Sequence, residues 1–305
     1  MPSGAYLTFI TTEGYLPGLL VLHKTLQDVG SKYPLVVMAT RSLPQDVHDV
    51  LTRKGIAISV VDSLTPKNSN IAEHDSRFAE TWTKLRMFEL IDYERVVALD
   101  ADMVVKRNMD ELMEIDLPEG YIAACHVCAC NPRKLKHYPK EWIPENCAYS
   151  AVSHPGGLET PTQITDTSPG PYKQLNSGLV VLSPSLDTFN RLESFLEVSP
   201  LVPEFKFPDQ DLLTEVFKGR WKPLPWCYNG LKTLRVIHSN LWRDEEVRCV
   251  HYILSDKPWR ERPKEGDPYE LLNQWWWDAL EQVRAEMETA DPEGWKLVEK
   301  NVAHA

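Results

Sequence analysis

The amino-acid sequence predicts an α/β fold with a mostly parallel central sheet, helices on both faces and a helical extension at the C-terminus. Up to about residue 100, short runs rich in β-branched residues alternate with segments of helical periodicity, which is the order of β-α-β units. A long segment of helical pattern, residues 270–288, lies near the end of the chain. With 305 residues, of which 43% are hydrophobic, the chain is long enough to bury a full core.

The apolar pattern predicts each element in turn. The first strand is expected at residues 5–10, and the helix after it should bury Leu19, Leu20, Leu22 and Leu26. Continuous apolar runs, typical of buried parallel strands, alternate with further helical patterns. They predict strands at 35–39, 56–61, 95–99, 121–124, 179–182 and 247–250, and helices at 45–54, 83–91, 185–196, 209–217 and 270–288.

Two segments interrupt this regular order. Residues 131–173 contain seven prolines, and an irregular segment of this length is often functional. An acceptor-side loop or lid and a plain surface excursion both remain open for it. Three tryptophans at 275–277 cannot share one face of a helix, so at least one is expected to anchor the extension. We expect a catalytic domain at 1–260 and a C-terminal helical extension at 261–305.

The charge of the chain restricts its partners. Lysine and arginine number 33 and aspartate and glutamate 44, which leaves a net charge of −11. Such a surface repels nucleic-acid backbones, so no nucleic-acid partner is expected, and a phosphate-bearing ligand would need a local cation. No apolar run is long enough for a membrane span, and no signal peptide is recognised. Sparse cysteines then favour a cytoplasmic location.

Two carboxylates follow the predicted strand at 95–99. Asp100 and Asp102 are spaced i, i+2, which places both side chains on one face of an extended chain. Ligands of α/β sheets bind beyond the carboxyl ends of the strands, and paired carboxylate oxygens suit a hard divalent cation. A strand-end turn with solvated acidic residues is the alternative.

Further polar residues lie at the ends of other predicted elements. His251 follows the predicted strand at 247–250 and offers an imidazole to the same metal, while Lys257 offers a cation to phosphates. The alternative for this pair is a core histidine and a surface lysine. Asn176 and Ser177 precede the strand at 179–182, and Asp209 opens a predicted helix, where it is otherwise an N-cap.

Together these motifs resemble glycosyltransferase family 8, which includes glycogenin and galactinol synthase. The resemblance covers about residues 5–260, and its motifs occur in the family's order and rough spacing. They are A-Y-L-T-F-I-T-T-E-G-Y-L-P-G-L-L-V-L at 5–22, T-K-L at 83–85, D-A-D at 100–102, N-S-G at 176–178, D-Q at 209–210 and H…K-P-W at 251–259. The family has the Rossmann-like GT-A fold that binds nucleotide sugars.

The resemblance implies a metal and a nucleotide-sugar donor. Asp100, Asp102 and His251 would hold Mn²⁺, with Mg²⁺ as the alternative, and the metal would bridge the diphosphate of a UDP-sugar. Thr11 and Tyr15 match positions that contact the uridine. The metal would also explain how an acidic protein binds a diphosphate.

The other matching positions surround the donor and its sugar. The donor-binding set is completed by Lys84, Asp100, Ala101, Asn176, Ser177 and Lys257. Asp209, Gln210 and Lys84 are the expected catalytic residues. Asp209 would fix a sugar hydroxyl, while Gln210 would face the anomeric carbon but is a poor nucleophile. Front-face attack by the acceptor is therefore favoured over a covalent intermediate.

The sequence departs from the family pattern in two places. Leu254 stands where the family often has a glycine, so the loop that carries Lys257 is expected to differ in shape. In glycogenin a tyrosine after the L-P-x-x-Y-N segment is self-glucosylated. The corresponding segment here is 224–229, and no tyrosine follows it up to Trp242, which argues against self-glucosylation. Tyr228-Asn229, L-W-R at 241–243 and His251-Tyr252 resemble galactinol synthase slightly more.

Four cysteines lie close together in the sequence. Cys125, Cys128 and Cys130, with His126, His137 and Cys147 nearby, suggest a structural zinc site, but the spacing lacks a clean second pair. Strand alternation would turn Cys128 and Cys130 to one face, so packed thiols are the favoured interpretation.

The sequence therefore predicts a retaining glycosyltransferase that moves galactose or glucose from a UDP-hexose to a small polyol or saccharide. A homo-oligomer is included among its expected partners. The alternatives are a scaffold that binds a UDP-sugar without turnover, and a metal-dependent nucleotidyltransferase. The nucleotidyltransferase would need a further acidic ligand and a basic phosphate loop, and neither is evident in the sequence.

Overall fold

The computed structural model describes residues 3–66 and 81–304. Its larger sheet has seven described strands in the order β3-β2-β1-β4-β7-β6-β8, and a smaller sheet has the order β5-β10-β9. In chain order the strands are β1 Gly4–Ile10, β2 Leu35–Thr40, β3 Ala57–Val61, β4 Arg95–Leu99, β5 Met103–Val105, β6 Ile122–His126, β7 Leu175–Leu182, β8 Trp221–Pro223, β9 Gly230–Leu231 and β10 Cys249–His251.

The larger sheet is mostly parallel, as predicted. The pairs β1–β2, β2–β3, β1–β4 and β6–β8 are parallel, and β7 is antiparallel to both β4 and β6. The prediction that Asn176, Ser177 and Gly178 precede a strand is wrong, because all three lie inside β7. The register of β6 against β7 shifts between Ala124, which pairs with Val180, and Cys125, which pairs with Asn176.

Helices pack on both faces of the larger sheet, and two helices form the C-terminal segment. Those of at least eight residues in the described chain are α1 Leu16–Asp28, α2 Gln45–Arg53, α3 Leu186–Val198, α4 Pro208–Val216, α5 Glu270–Ala290 and α6 Pro292–Glu299. The helix predicted at 83–91 is present at Thr81–Glu89, where it is a 3₁₀ helix and not an α-helix. Its buried Trp82, Leu85 and Phe88 recur every third residue, which lines them up in a helix of three residues per turn.

The C-terminal helices share the core of the sheet. α5 packs along α1, and Leu272, Trp276 and Trp277 belong to the same buried cluster as Tyr6 and other residues of the sheet. The Nε1 of Trp277 donates to the carbonyl of Pro258 (3.0 Å). The tryptophans therefore anchor the extension, as predicted. Across the described residues, none of the helices combines the length and the apolar character that crossing a membrane requires.

Candidate active site

The two sheets bring the carboxylates and the histidine together. β4 ends at Leu99, so Asp100 and Asp102 follow its carboxyl end, and β5 starts at Met103. β10 pairs antiparallel with β5, with His251 opposite Met103. The imidazole therefore lies beside the D-x-D turn, although it is about 150 residues away along the chain.

These three side chains form one compact donor group. The Nε2 of His251 lies 3.5 Å from a carboxylate oxygen of Asp100 and 3.4 Å from one of Asp102. All three ligand atoms lie within 4.8 Å of one another. His251 and Asp102 are each only 4% exposed. Two carboxylate oxygens and one imidazole nitrogen are a ligand set that fits a divalent cation such as manganese or magnesium.

A chain of hydrogen bonds fixes the tautomer of His251. The backbone N–H of Gly178 can only donate, so the atom of Asn176 that it meets at 3.1 Å is Oδ1. The same Oδ1 accepts from Nδ2 of Asn229 (2.7 Å), which turns Oδ1 of Asn229 toward Nδ1 of His251 (2.9 Å). Nδ1 therefore donates to Asn229, and Nε2 is the ring nitrogen that faces the two carboxylates.

Gly178 is required beside this histidine. A Cβ atom at position 178 would lie 2.2 Å from Cε1 and 2.6 Å from Nδ1 of His251, closer than atoms can approach. The carbonyl of Gly178 also accepts the backbone N–H of Asp100 (2.9 Å). The glycine of the N-S-G motif thus lets β7 approach the D-x-D turn and the imidazole at once.

Two lysines balance the charge of the carboxylates. Lys84, in the 3₁₀ segment, forms an ion pair with Asp100 and another with Asp209 (3.3 Å), and Lys257 pairs with Asp102. Burial alone would lower the pKa of each lysine, but the facing carboxylates outweigh it and raise both pKa values. Burial would likewise raise the pKa of Asp102, but the charge of Lys257 holds it well below the usual range. Both lysines are therefore charged at neutral pH.

The first turn of α4 lies on the other side of Lys84. Asp209 and Gln210 are each 6% exposed, and Oε1 of Gln210 accepts from Nδ2 of Asn176 (3.1 Å). Asp209 is not the N-cap of α4, because Phe207 holds that position and Asp211 accepts the N–H groups of Lys206 and Phe207. One small cavity is lined by Lys84, Asp100, Ser177 and Asp209 among others.

Aromatic residues form the wall of the site near α1. Tyr15 packs edge-on against Trp259, with ring centroids 5.4 Å apart, and Trp259 in turn contacts Trp276 of α5 (5.7 Å). Gly18 lets α1 approach the D-x-D turn, since a Cβ there would lie 2.5 Å from the carbonyl oxygen of Ala101. Thr11 directly follows β1, but no hydrogen bond or ion pair among the described residues joins it to this network.

The loop that carries Lys257 is held by an ion pair between the buried Lys232 and the exposed Asp256. Lys232, only 2% exposed, donates to the carboxylate (2.8 Å) and the carbonyl (2.7 Å) of Asp256, and Arg133 binds the same carboxylate at 2.8 and 2.7 Å. Leu254 has a φ of 75°, in the left-handed region that glycine favours. The loop thus adopts a glycine-like backbone with a leucine.

Sequence comparison assigns this arrangement to a family. The model described as Glycosyl transferase family 8 matches residues 6–262, a span that includes every residue of the network above except those of α5. The chain belongs to glycosyltransferase family 8. Family 8 membership makes it an enzyme that transfers a hexosyl group from a nucleotide sugar.

The curated relatives cover most of the chain. It is 31% identical to galactinol synthase 2 of Solanum lycopersicum, over 91% of this chain and 80% of that protein. It is 30% identical to galactinol synthase 1 of Arabidopsis thaliana, over 90% of this chain and 78% of that protein. The similarity is therefore not confined to the motifs.

Solved structures identify the fold as GT-A. The galactosyltransferase LgtC, solved with donor and acceptor sugar analogues, matches with a TM-score of 0.61 and 17% identity over 91% of this chain and 95% of that chain. The bifunctional glycosyltransferase WbbM matches with a TM-score of 0.60 and 18% identity over 92% of this chain, which spans 50% of that longer chain. At these identities the likeness concerns the fold alone.

Sequence reasoning missed several residues that support this family 8 site. Asn229 orients His251, although the sequence pointed to it only as part of the L-P-x-x-Y-N segment. Asp256 and Lys232 hold the Lys257 loop. Nothing in the sequence around Lys232 indicates that this lysine is buried, so the ion pair could not be predicted. For Trp259 a signal was present, because it ends the H…K-P-W motif.

Proposed function

We propose that this family 8 enzyme transfers galactose or glucose from a UDP-hexose to a small polyol or saccharide, with retention of anomeric configuration and with manganese as its metal. The observation that carries the proposal is the close group formed by Nε2 of His251 and the carboxylates of Asp100 and Asp102, flanked by two partly buried lysines. The curated relatives are galactinol synthases, and their name favours galactose as the sugar.

Asp100, Asp102 and His251 would hold the metal. A bound divalent cation neutralises negative charge that develops on a diphosphate leaving group. The imidazole ligand favours manganese over magnesium, which prefers all-oxygen coordination. Asn229 accepts the Nδ1 proton of His251, which directs Nε2 toward the carboxylates as the nitrogen that would bind the metal.

The two lysines give the chain its own cations for the donor. Lys257 lies next to Asp102 and would meet the diphosphate, and Lys84 bridges Asp100 to Asp209, on the side of the sugar. Both are held in a largely buried site, where a fixed charge stabilises a developing anion more strongly than it does in water. Thr11, Tyr15, Ala101, Asn176 and Ser177 would complete the donor site.

The side chains near the sugar favour front-face transfer. Asp209 is charge-paired with Lys84, and Gln210 is an amide, so neither is an activated nucleophile. We therefore propose that the acceptor hydroxyl attacks the anomeric carbon on the face from which UDP departs. The bond from that carbon to the phosphate oxygen breaks, and this oxygen takes the hydroxyl proton. A glycosyl adduct trapped on Asp209 or Gln210 would contradict this route.

The first experiment measures UDP release from a panel of UDP-sugars, with manganese and with EDTA. We expect slow hydrolysis of one donor, lost with EDTA and in Asp102→Ala, and retained in the control Asp49→Ala, which removes an exposed carboxylate of α2. Screening polyols and saccharides with that donor then identifies the acceptor. Manganese-dependent UDP binding without turnover on any acceptor would favour a scaffold, and pyrophosphate release would favour a nucleotidyltransferase.

A further inference from the structure

A second cluster of ligand atoms shares no residue with the proposed donor site. It consists of Cys128 and Cys130, just after β6, Cys147 in the proline-rich segment, and His238 at the end of a short helical turn. Their ligand atoms all lie within 4.8 Å of one another. Cys130, Cys147 and His238 are buried, and Cys128 is partly buried.

The spacing of these atoms is that of a tetrahedral metal site. Nε2 of His238 lies 3.7 Å from Sγ of Cys128, 3.3 Å from Sγ of Cys130 and 3.6 Å from Sγ of Cys147. The sulfurs of Cys128 and Cys147 are 4.0 Å apart. With zinc–ligand bonds of about 2.3 Å to sulfur and 2.0 Å to nitrogen, a regular tetrahedron has sulfur–nitrogen edges of about 3.5 Å and sulfur–sulfur edges of about 3.8 Å.

The other cysteine and the two histidines that the sequence suggested for a zinc site have other partners. The Sγ of Cys125 donates to the carbonyl of Pro225 (3.2 Å), Nε2 of His126 bonds the carbonyl of Thr162 (2.8 Å), and His137 packs against Tyr138. The fourth ligand is therefore His238, which is 91 residues beyond Cys147 and was outside the predicted group. This distance along the chain is why the sequence showed no clean second pair.

The three cysteines of the cluster are all available as ligands. Three thiols cannot all pair in disulfides, and all three are free in this structure. Packed thiols alone give no reason for an imidazole nitrogen to meet all three sulfurs.

We propose that Cys128, Cys130, Cys147 and His238 bind a structural Zn²⁺. Soft thiolate ligands select zinc over the hard cations expected at the carboxylate site, so the two sites do not compete for one metal. Binding releases the thiol protons and closes a tetrahedral Cys₃His site with no open position. The zinc ties the proline-rich segment to the end of β6 and to the segment after Asn229, which orients His251.

The test measures zinc in the full-length protein purified without chelator, together with the visible spectrum of the cobalt-substituted protein. We expect about one zinc per chain beyond any metal removed by mild EDTA, and strong thiolate-to-cobalt charge-transfer bands, which a carboxylate site does not give. Cys130→Ser and His238→Ala should lower the tightly bound zinc at least tenfold. Cys227→Ser is the matched control, because it alters a buried thiol outside the cluster.

The wild-type spectrum keeps the proposal falsifiable even if a cluster variant does not fold. Folded wild-type protein that binds no zinc when supplied with it, or whose cobalt form lacks thiolate bands, would overturn the proposal. Zinc content that is unchanged in a folded Cys130→Ser protein would overturn it as well. So would a disulfide between two of the three cysteines in freshly purified wild-type protein, shown by mass spectrometry.

Discussion

At the scale of single residues, the amide of Asn229 controls the proposed metal site without belonging to it. Its oxygen accepts from Nδ1 of His251, and its nitrogen donates to Asn176. Partners of this kind set the tautomer and orientation of a metal-binding histidine, and their loss costs about 10- to 100-fold in metal affinity. The tautomer therefore depends on a residue that a list of ligands would omit.

We expect Asn229→Ala to weaken manganese binding by about 10- to 100-fold, because the imidazole loses its acceptor and can turn. Asn229→Asp keeps an acceptor for Nδ1 and should lose less. Titration of manganese by electron paramagnetic resonance measures both. Asn146→Ala, which removes an amide bonded only to the carbonyl of Glu141, is the control and should bind like wild type. Equal affinities for Asn229→Ala and wild type would contradict the assigned role.

The residues of the site differ in how far sequence could predict them. Asp100, Asp102, His251, Lys84 and Lys257 lie in motifs, and the structure brings all five together. Whether a polar residue supports a ligand depends on which backbone N–H or ring nitrogen it meets. That contact is set by tertiary packing, so no local pattern of the sequence contains it.

At the scale of elements, the start of α4 has a carboxyl group in an unfavourable setting. Burial raises the pKa of Asp211 to about 6, although its carboxylate accepts the N–H groups of Lys206 and Phe207. In the unfolded chain the same group titrates near 3.8. Between these values the folded protein holds more protons than the unfolded chain, so this group makes stability fall as pH rises from about 4 to about 6.

We expect Asp211→Asn to remove this dependence. An asparagine oxygen still accepts from the helix start, and no charge has to form in a buried place. The variant should gain on the order of 1 kcal/mol over wild type above pH 6, and the difference should shrink toward pH 4. Urea unfolding at several pH values measures this. A constant difference across the pH range would show that the carboxyl titration is not its cause.

The elements also show where hydrophobic periodicity predicts secondary structure and where it does not. β4 and α2 end within a residue of their predicted bounds, because a buried strand and an amphipathic helix each carry an unambiguous pattern. The segment Thr81–Glu89 carries an apolar pattern that fits both a helix of 3.6 and one of 3.0 residues per turn. β5 and β9 have three and two residues, too few for any period to show.

At the scale of the whole molecule, Asp256 connects parts of the chain that are far apart in sequence. Its carboxylate binds Arg133 from the proline-rich segment and the buried Lys232, and the next residue is Lys257. Burial would raise the pKa of Asp256, but these two cations hold it well below the usual range. The proline-rich segment is thus linked to the proposed donor site by charge.

We expect Asp256→Ala to lower the free energy of unfolding by about 1–2 kcal/mol, because the buried ammonium of Lys232 loses its carboxylate partner, although that carboxylate is itself 45% exposed. The double variant Asp256→Ala, Lys232→Met should recover much of this loss. Asp62→Ala, which removes an exposed partner of Arg41, should cost much less, because solvent screens that pair. Similar losses for Asp256→Ala and Asp62→Ala in urea unfolding would show that the Asp256–Lys232 pair stabilises the fold no more than an exposed ion pair does.

Replacement of Trp276 tests the support from the C-terminal extension. Its side chain is fully buried and packs on Trp259, which supports Tyr15. We expect Trp276→Ala to destabilise the protein by about 3–5 kcal/mol, through the cavity it leaves, and to weaken UDP binding at temperatures where the variant is still folded. Calorimetry and UDP titration measure the two effects. Trp275→Ala is the control, since that ring is only partly buried.

The contact between α5 and Trp259 also bears on which C-terminal boundary is suitable for expressing this protein. The recognisable family 8 span ends at residue 262, before the helix that covers the wall behind Tyr15. A gene trimmed to that span would encode every motif and still yield a product with its apolar side open to water, prone to aggregate during expression. A C-terminal boundary placed at the end of the family match would thus remove the helix that shields this apolar side from water.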